Sequence, residues 1–74
     1  MSAFLYFEEL TPAPGTKRWA VMSSDGSAQV GTVQWDDILR SYCLRPMANC
    51  AFDYNHLRHI AYFCDCQTRQ RHET

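Results

Sequence analysis

What this chain of 74 residues lacks narrows its function first. No apolar run approaches the roughly 20 residues that a membrane helix requires, which predicts a cytoplasmic protein with no membrane partner. Charge of one sign is also missing. Seven Lys and Arg stand against eight Asp and Glu, for a formal net charge of -1, and the two signs are interspersed. Neither a generic DNA-coating protein nor an acidic DNA mimic is expected from such a balance. The apolar patch from Ala3 to Phe7 has no basic region before it and Glu8 and Glu9 directly after, which is not the pattern of a signal peptide. No P-loop, Gly-rich dinucleotide turn or paired-carboxylate motif is present, and no enzyme is predicted.

What is there suits one small core. Hydrophobic residues make up 46% and aromatic residues 14% of the chain, ample for a globular domain and unlike a disordered one. The expected organisation is a single domain over residues 1–66 followed by a polar, flexible tail over residues 67–74. Along the chain, the aromatic run from Ala3 to Glu9 reads as an edge strand, and Thr11-Pro12-Ala13-Pro14-Gly15 as a turn or loop. Lys17 to Ser23 alternates, with Trp19 and Val21 on one face and Ala20 and Met22 on the other. Asp25-Gly26 favours a tight hairpin, because glycine reaches the positive φ of primed turns. Gln29 to Trp35 then returns antiparallel, with Gly31, Val33 and Trp35 on one face; Gly31 marks a bulge or a crowded neighbour. Asp36-Asp37 supplies turn chemistry, and Ile38 to Arg45 reads as a third long strand that Pro46 ends.

Asp53 is placed to cap a helix, with Phe52 and Leu57 set as a hydrophobic staple. Leu57, Ile60, Ala61 and Cys64 follow the spacing of one buried helical face, broadened by Tyr62 and Phe63. The fold class is therefore α+β: a three- to four-stranded antiparallel meander with one C-terminal α-helix packed on one face. Trp19, Val33, Trp35, Tyr42, Leu44, Leu57, Ile60 and Phe63 are its expected core.

Four cysteines, Cys43, Cys50, Cys64 and Cys66, are expected as reduced thiols. A zinc site would draw on Cys64 and Cys66 with Cys43, Cys50, His56 or His59, but a Cys-x-Cys pair within a helix sends its thiols about 200° apart. No cofactor or metal is predicted. A nucleophilic Cys50 beside His56 lacks any oxyanion hole or cleft that the sequence can point to.

The pattern Lys-Arg-Trp-x-Val at residues 17–21, Val-Gly-x-Val-x-Trp at 30–35 and Arg-x-Tyr-x-Leu-x-Pro at 40–46, followed by Phe52, Leu57, Ile60 and Phe63, resembles a group of small bacteriophage and prophage proteins. In that group the third strand usually begins with Trp-Arg and carries Phe where Leu44 stands here; Leu39 takes the place of the Trp. The resemblance implies a β-β-β-α unit and a phage protein in a host cytoplasm. There it would act as an anti-defence or anti-CRISPR inhibitor by protein-protein interaction, occupying the surface of a host protein such as a defence nuclease or a CRISPR effector. It implies no active site.

One helix covers one sheet face, so the other is left for solvent or a partner. Its expected occupants include Ala20, Met22, Leu39 and Cys43, more apolar than a free face requires. The first functional expectation is a small non-catalytic binding protein that engages a host protein through this face and its basic rim, with Met22, Arg40 and Arg45 as contacts. A homodimer through the same face or an edge strand is the plainer version. The alternative is a small nucleic-acid-binding domain using Lys17, Arg18, Arg45, Arg69 and Arg71 with aromatic stacking.

Overall fold

Period-two alternation over residues 17–36 and an aspartate cap at residue 53 dictate the two layers. The computed structural model describes residues 5–13 and 16–73. Four strands, β1 (Tyr6–Ala13), β2 (Thr16–Met22), β3 (Gln29–Asp36) and β4 (Ser41–Pro46), precede one helix, α1 (Tyr54–Glu73). The sheet is an antiparallel meander in the order β1-β2-β3-β4, so the α+β class expected from the sequence holds. The beginning of the N-terminal run, Ala3 and Phe4, and Pro14 and Gly15 of the expected turn or loop lie outside the described residues. β1 is an edge strand and carries on to Ala13, through Thr11 and Pro12, with a register shift between Leu10 and Ala13. A proline is tolerated there because an edge strand does not need every amide.

Cross-strand pairing sorts the side chains. Phe7↔Val21, Val21↔Gly31, Trp19↔Val33, Val33↔Leu44 and Trp35↔Tyr42 place the large apolar residues on the face toward the helix. There Leu5, Trp19, Val21, Val33, Tyr42 and Ile60 are buried, Val21 and Val33 completely. Phe63 stacks on Phe7 at 3.9 Å between ring centroids and meets Trp19 edge-on at 5.1 Å. Tyr42 stands edge-on to both Trp19 and Trp35 at 5.3 Å, so one line of rings ties helix to sheet. Such contacts add to the area term, at roughly 0.5–1.5 kcal/mol per pair. Gly31 is required by close approach: a Cβ there would lie 2.9 Å from Leu44 Cδ1 and 3.0 Å from the Arg45 carbonyl oxygen. The crowding neighbours are those of β4, and a bulge at Val30 adjoins it, where Val21 pairs with Gly31 but Met22 with Gln29.

Besides Thr11 to Ala13, which are strand where a turn or loop was expected, three expectations are corrected. Ile38 to Arg40 do not belong to the third strand; they form the turn before β4. The Asp36 carboxylate accepts hydrogen bonds from the Ile38 and Leu39 amides, both at 2.9 Å, and this local capture bends the chain against the apolar alternation. The helix does not stop near residue 66 but continues to Glu73. Thr68 seats it on the sheet, accepting from the Tyr42 amide at 3.0 Å and donating to the Cys64 carbonyl at 2.7 Å. Leu57 is not core: it is 50% exposed, and Ala61 is exposed as well. The buried stripe is rotated to Ile60, Phe63, Cys64 and Thr68, because Phe7 and Phe52 take His59 and His56 as ring partners at 5.2 and 6.5 Å. The cap itself is as expected, with the His56 amide donating to the Asp53 carboxylate at 2.9 Å.

Candidate docking site at a hairpin tip

The residues between β3 and β4 make a loop tied down by its own aspartates. Asp36 holds the amides of Ile38 and Leu39 with Oδ1, its carbonyl accepts from the Arg40 amide at 2.8 Å, and its Oδ2 pairs with Arg45 at 3.2 Å. Asp37 accepts from the Trp35 indole Nε1 at 2.9 Å, and the Arg71 guanidinium lies 4.0 Å from the Trp35 ring centre. Arg40 closes the turn with φ of 58°, a left-handed conformation that costs a non-glycine residue roughly 1–2 kcal/mol. The Asp36 carboxylate and carbonyl are turned into the loop, while Asp37 and Arg40 are exposed. Beside them the loop presents two large apolar side chains to solvent: Ile38 is 91% exposed and Leu39 65%.

The sheet face away from the helix carries Tyr6, Glu8, Leu10, Arg18, Ala20, Met22, Thr32, Gln34, Cys43 and Arg45. It is more polar than the sequence suggests, since Leu39 has moved to the turn. Its groups also satisfy one another: Gln29 donates to the Gly31 carbonyl and to Thr32, and Arg45 lies along the face to reach Asp36. Ala20 is buried beneath its neighbours. Met22, Arg40 and Arg45 are not brought together. Met22 ends β2 beside the Ser23–Ala28 loop, Arg40 stands at the opposite end of the sheet, and Arg45 bridges part of the distance.

Of the basic residues set aside for nucleic acid, Arg45 is held by Asp36, Arg69 by Asp65 at 3.1 Å, and Arg71 by the Trp35 ring. Lys17 is exposed, while the Arg18 Nε is buried without a hydrogen-bond partner. Tyr6 is the only aromatic on the open face among the described strand residues, and it sits at the end away from Lys17 and Arg18. All four cysteines are free thiols. Burial, and secondarily the nearby Cys43, pushes the Cys64 thiol up to about 11, which keeps it protonated and weakly nucleophilic at neutral pH. Cys50 is half-buried in the loop before α1, and the His56 ring points to Asp53, 3.5 Å away. No three His, Cys, Asp or Glu side chains among the described residues gather closely enough to hold a metal, and no described helix is long and apolar enough to cross a membrane.

Sequence reasoning missed Ile38 and Leu39 as a surface pair. The signal was the pair of aspartates: an Asp at the last strand position, with free amides two and three residues on, is the chemistry of a side-chain-capped turn.

The geometry defines an α+β protein with its helix packed on one sheet face and fastened to β4 at Thr68, and with an exposed apolar pair at the β3–β4 hairpin tip. Compared with known protein families, curated proteins and solved structures, the chain matches none.

Proposed function

We propose that this chain is a non-catalytic protein-binding module that docks on a partner protein through the β3–β4 hairpin tip. The observation that carries the proposal is the exposure of Ile38 and Leu39 on a loop whose backbone is already fixed by Asp36. Burying an Ile or Leu side chain is worth roughly 1.5–3 kcal/mol each, and a loop fixed beforehand gives up little entropy when a partner covers it. Arg40 adds a guanidinium next to Leu39, a residue type favoured at interface hot spots. Nothing in this role needs a cofactor.

The resemblance to small phage proteins extends the proposal to a host protein as partner and to inhibition as the outcome, with a defence nuclease or CRISPR effector as candidate targets. Nucleic-acid binding ranks second, supported by Lys17, Arg18 and Arg40 at the tip end of the sheet. Affinity capture from the expressing cell's cytoplasm, with the parent and with Ile38→Asp/Leu39→Asp, separates the two. A partner protein retained by the parent and lost by the folded double variant supports docking through the tip. Co-purified nucleic acid, read from the absorbance ratio at 260 and 280 nm, supports the second reading instead.

A further inference from the structure

The outward face of α1 presents Tyr54, Arg58, Ala61, Tyr62, Asp65 and Arg69, all exposed. Their order is symmetric about the midpoint between Ala61 and Tyr62. Arg58 and Asp65 are equally far from that point on either side, and so are Tyr54 and Arg69. An antiparallel copy laid against this face therefore meets opposite charge with charge: each Arg58 faces an Asp65, and each Arg69 faces the ring of a Tyr54. Ala61 lies at the centre, where a small side chain permits close helix approach, with the 70%-exposed Tyr62 rings covering it. Asp65 already accepts from Arg69 of its own helix at 3.1 Å, and a carboxylate has lone pairs for a second guanidinium. Arg58 has no ion-pair partner among the described residues.

We propose that this helix face pairs with the same face of a second copy, antiparallel about a two-fold axis, with Arg58 of each copy bonded to Asp65 of the other. On the sheet edges, the Tyr42 amide of β4 is already taken by Thr68 of the helix, and on β1 a two-fold pairing centred on the exposed Glu8 and Glu9 would set glutamate against glutamate. A single helix pair buries less than the roughly 1,200–2,000 Å² of a stable interface, so the dimer is weak and concentration-dependent.

Sedimentation equilibrium of the full chain up to about 1 mM, at low and high salt, tests it. The parent is expected to dimerise reversibly. Arg58→Glu and Asp65→Arg are each expected to weaken association at least about tenfold, whereas the double swap Arg58→Glu/Asp65→Arg returns it to within about threefold of the parent. Ala61→Glu, with circular dichroism like the parent's, should abolish association independently. A parent that stays monomeric throughout overturns the proposal, as do single reversals that associate like the parent or a folded double swap that is not rescued.

Discussion

Thr68 is the point where the last turns of α1 are fastened to the sheet, and replacing it by Val isolates that fastening. Valine keeps the branched shape and much the same helix propensity, so only the hydroxyl is lost. With it goes the acceptor for the Tyr42 amide, which points outward from β4 beneath the helix in a residue only 6% exposed. A buried amide left without a partner costs about 1–3 kcal/mol. The Cys64 carbonyl loses little, since it also belongs to the helical ladder. For 74 residues the whole stability is about 4–11 kcal/mol, so the variant gives up a large share of it. With a urea slope of about 1 kcal/mol per molar for so small a protein, the unfolding midpoint should fall by about 1–3 M. Thr68→Ser keeps the hydroxyl and should fall less, and amide exchange at Tyr42 should quicken in the valine variant alone. A Thr68→Val midpoint equal to the parent's, or a serine variant as damaged as the valine one, would refute this account of how the helix is held.

Gly31→Ala should destabilise by about 1–3 kcal/mol in thermal or urea melts, because Leu44 can swing aside but the Arg45 carbonyl cannot. Hydrogen bonds from the Ser23 hydroxyl, the Ser27 amide and the Ser27 hydroxyl hold Asp25 down at about 2, from an ordinary 3.8. A depressed carboxyl stabilises above its unfolded value and loses that contribution as pH falls through the folded one. The Ser23–Ala28 loop should therefore stay ordered at pH 5 and loosen between about pH 4 and 2, as followed by the chemical shifts of Ser23 and Ser27; shifts that change only above pH 4 would contradict it. Alkylation at pH 8, mapped by mass spectrometry, should modify Cys64 last of the four cysteines, and labelling as fast as at Cys66 would contradict its burial.

Much of the fold was legible because Val33 and Trp35 alternate with Thr32, Gln34 and Asp36, and the larger Trp19 and Val21 alternate with Arg18 and Ala20, which marks one core face. The Asp53 cap was legible for the same kind of reason: the bond is local, from carboxylate to the amide three residues on. Harder cases were those in which two local rules conflict or a distant partner decides. Ile38 and Leu39 fit a strand by alternation and a turn by Asp36 chemistry, and two hydrogen bonds to one carboxylate settle it. Residues 67–73 look like a polar tail until Tyr42 and Trp35, more than 25 positions earlier, supply partners for Thr68 and Arg71. The phase of the helix depends on Phe7, whose stacking on Phe63 turns His59 inward and Leu57 out. Of the expected contacts, Met22 and Arg45 lie on the open sheet face as the alternation indicates, whereas Arg40 was assigned to a strand and stands in the turn at the tip.

Site-specific photo-crosslinking in the expressing cell tests the docking site most directly. A photoreactive residue replaces Ile38 in one chain and, as a control, Ser27 in the loop at the far end of the sheet. The tip should yield a discrete adduct with one partner protein that Leu39→Asp in the same chain abolishes, while position 27 yields none. Identical adducts from both positions, or no protein adduct from position 38, would contradict a docking role for the hairpin.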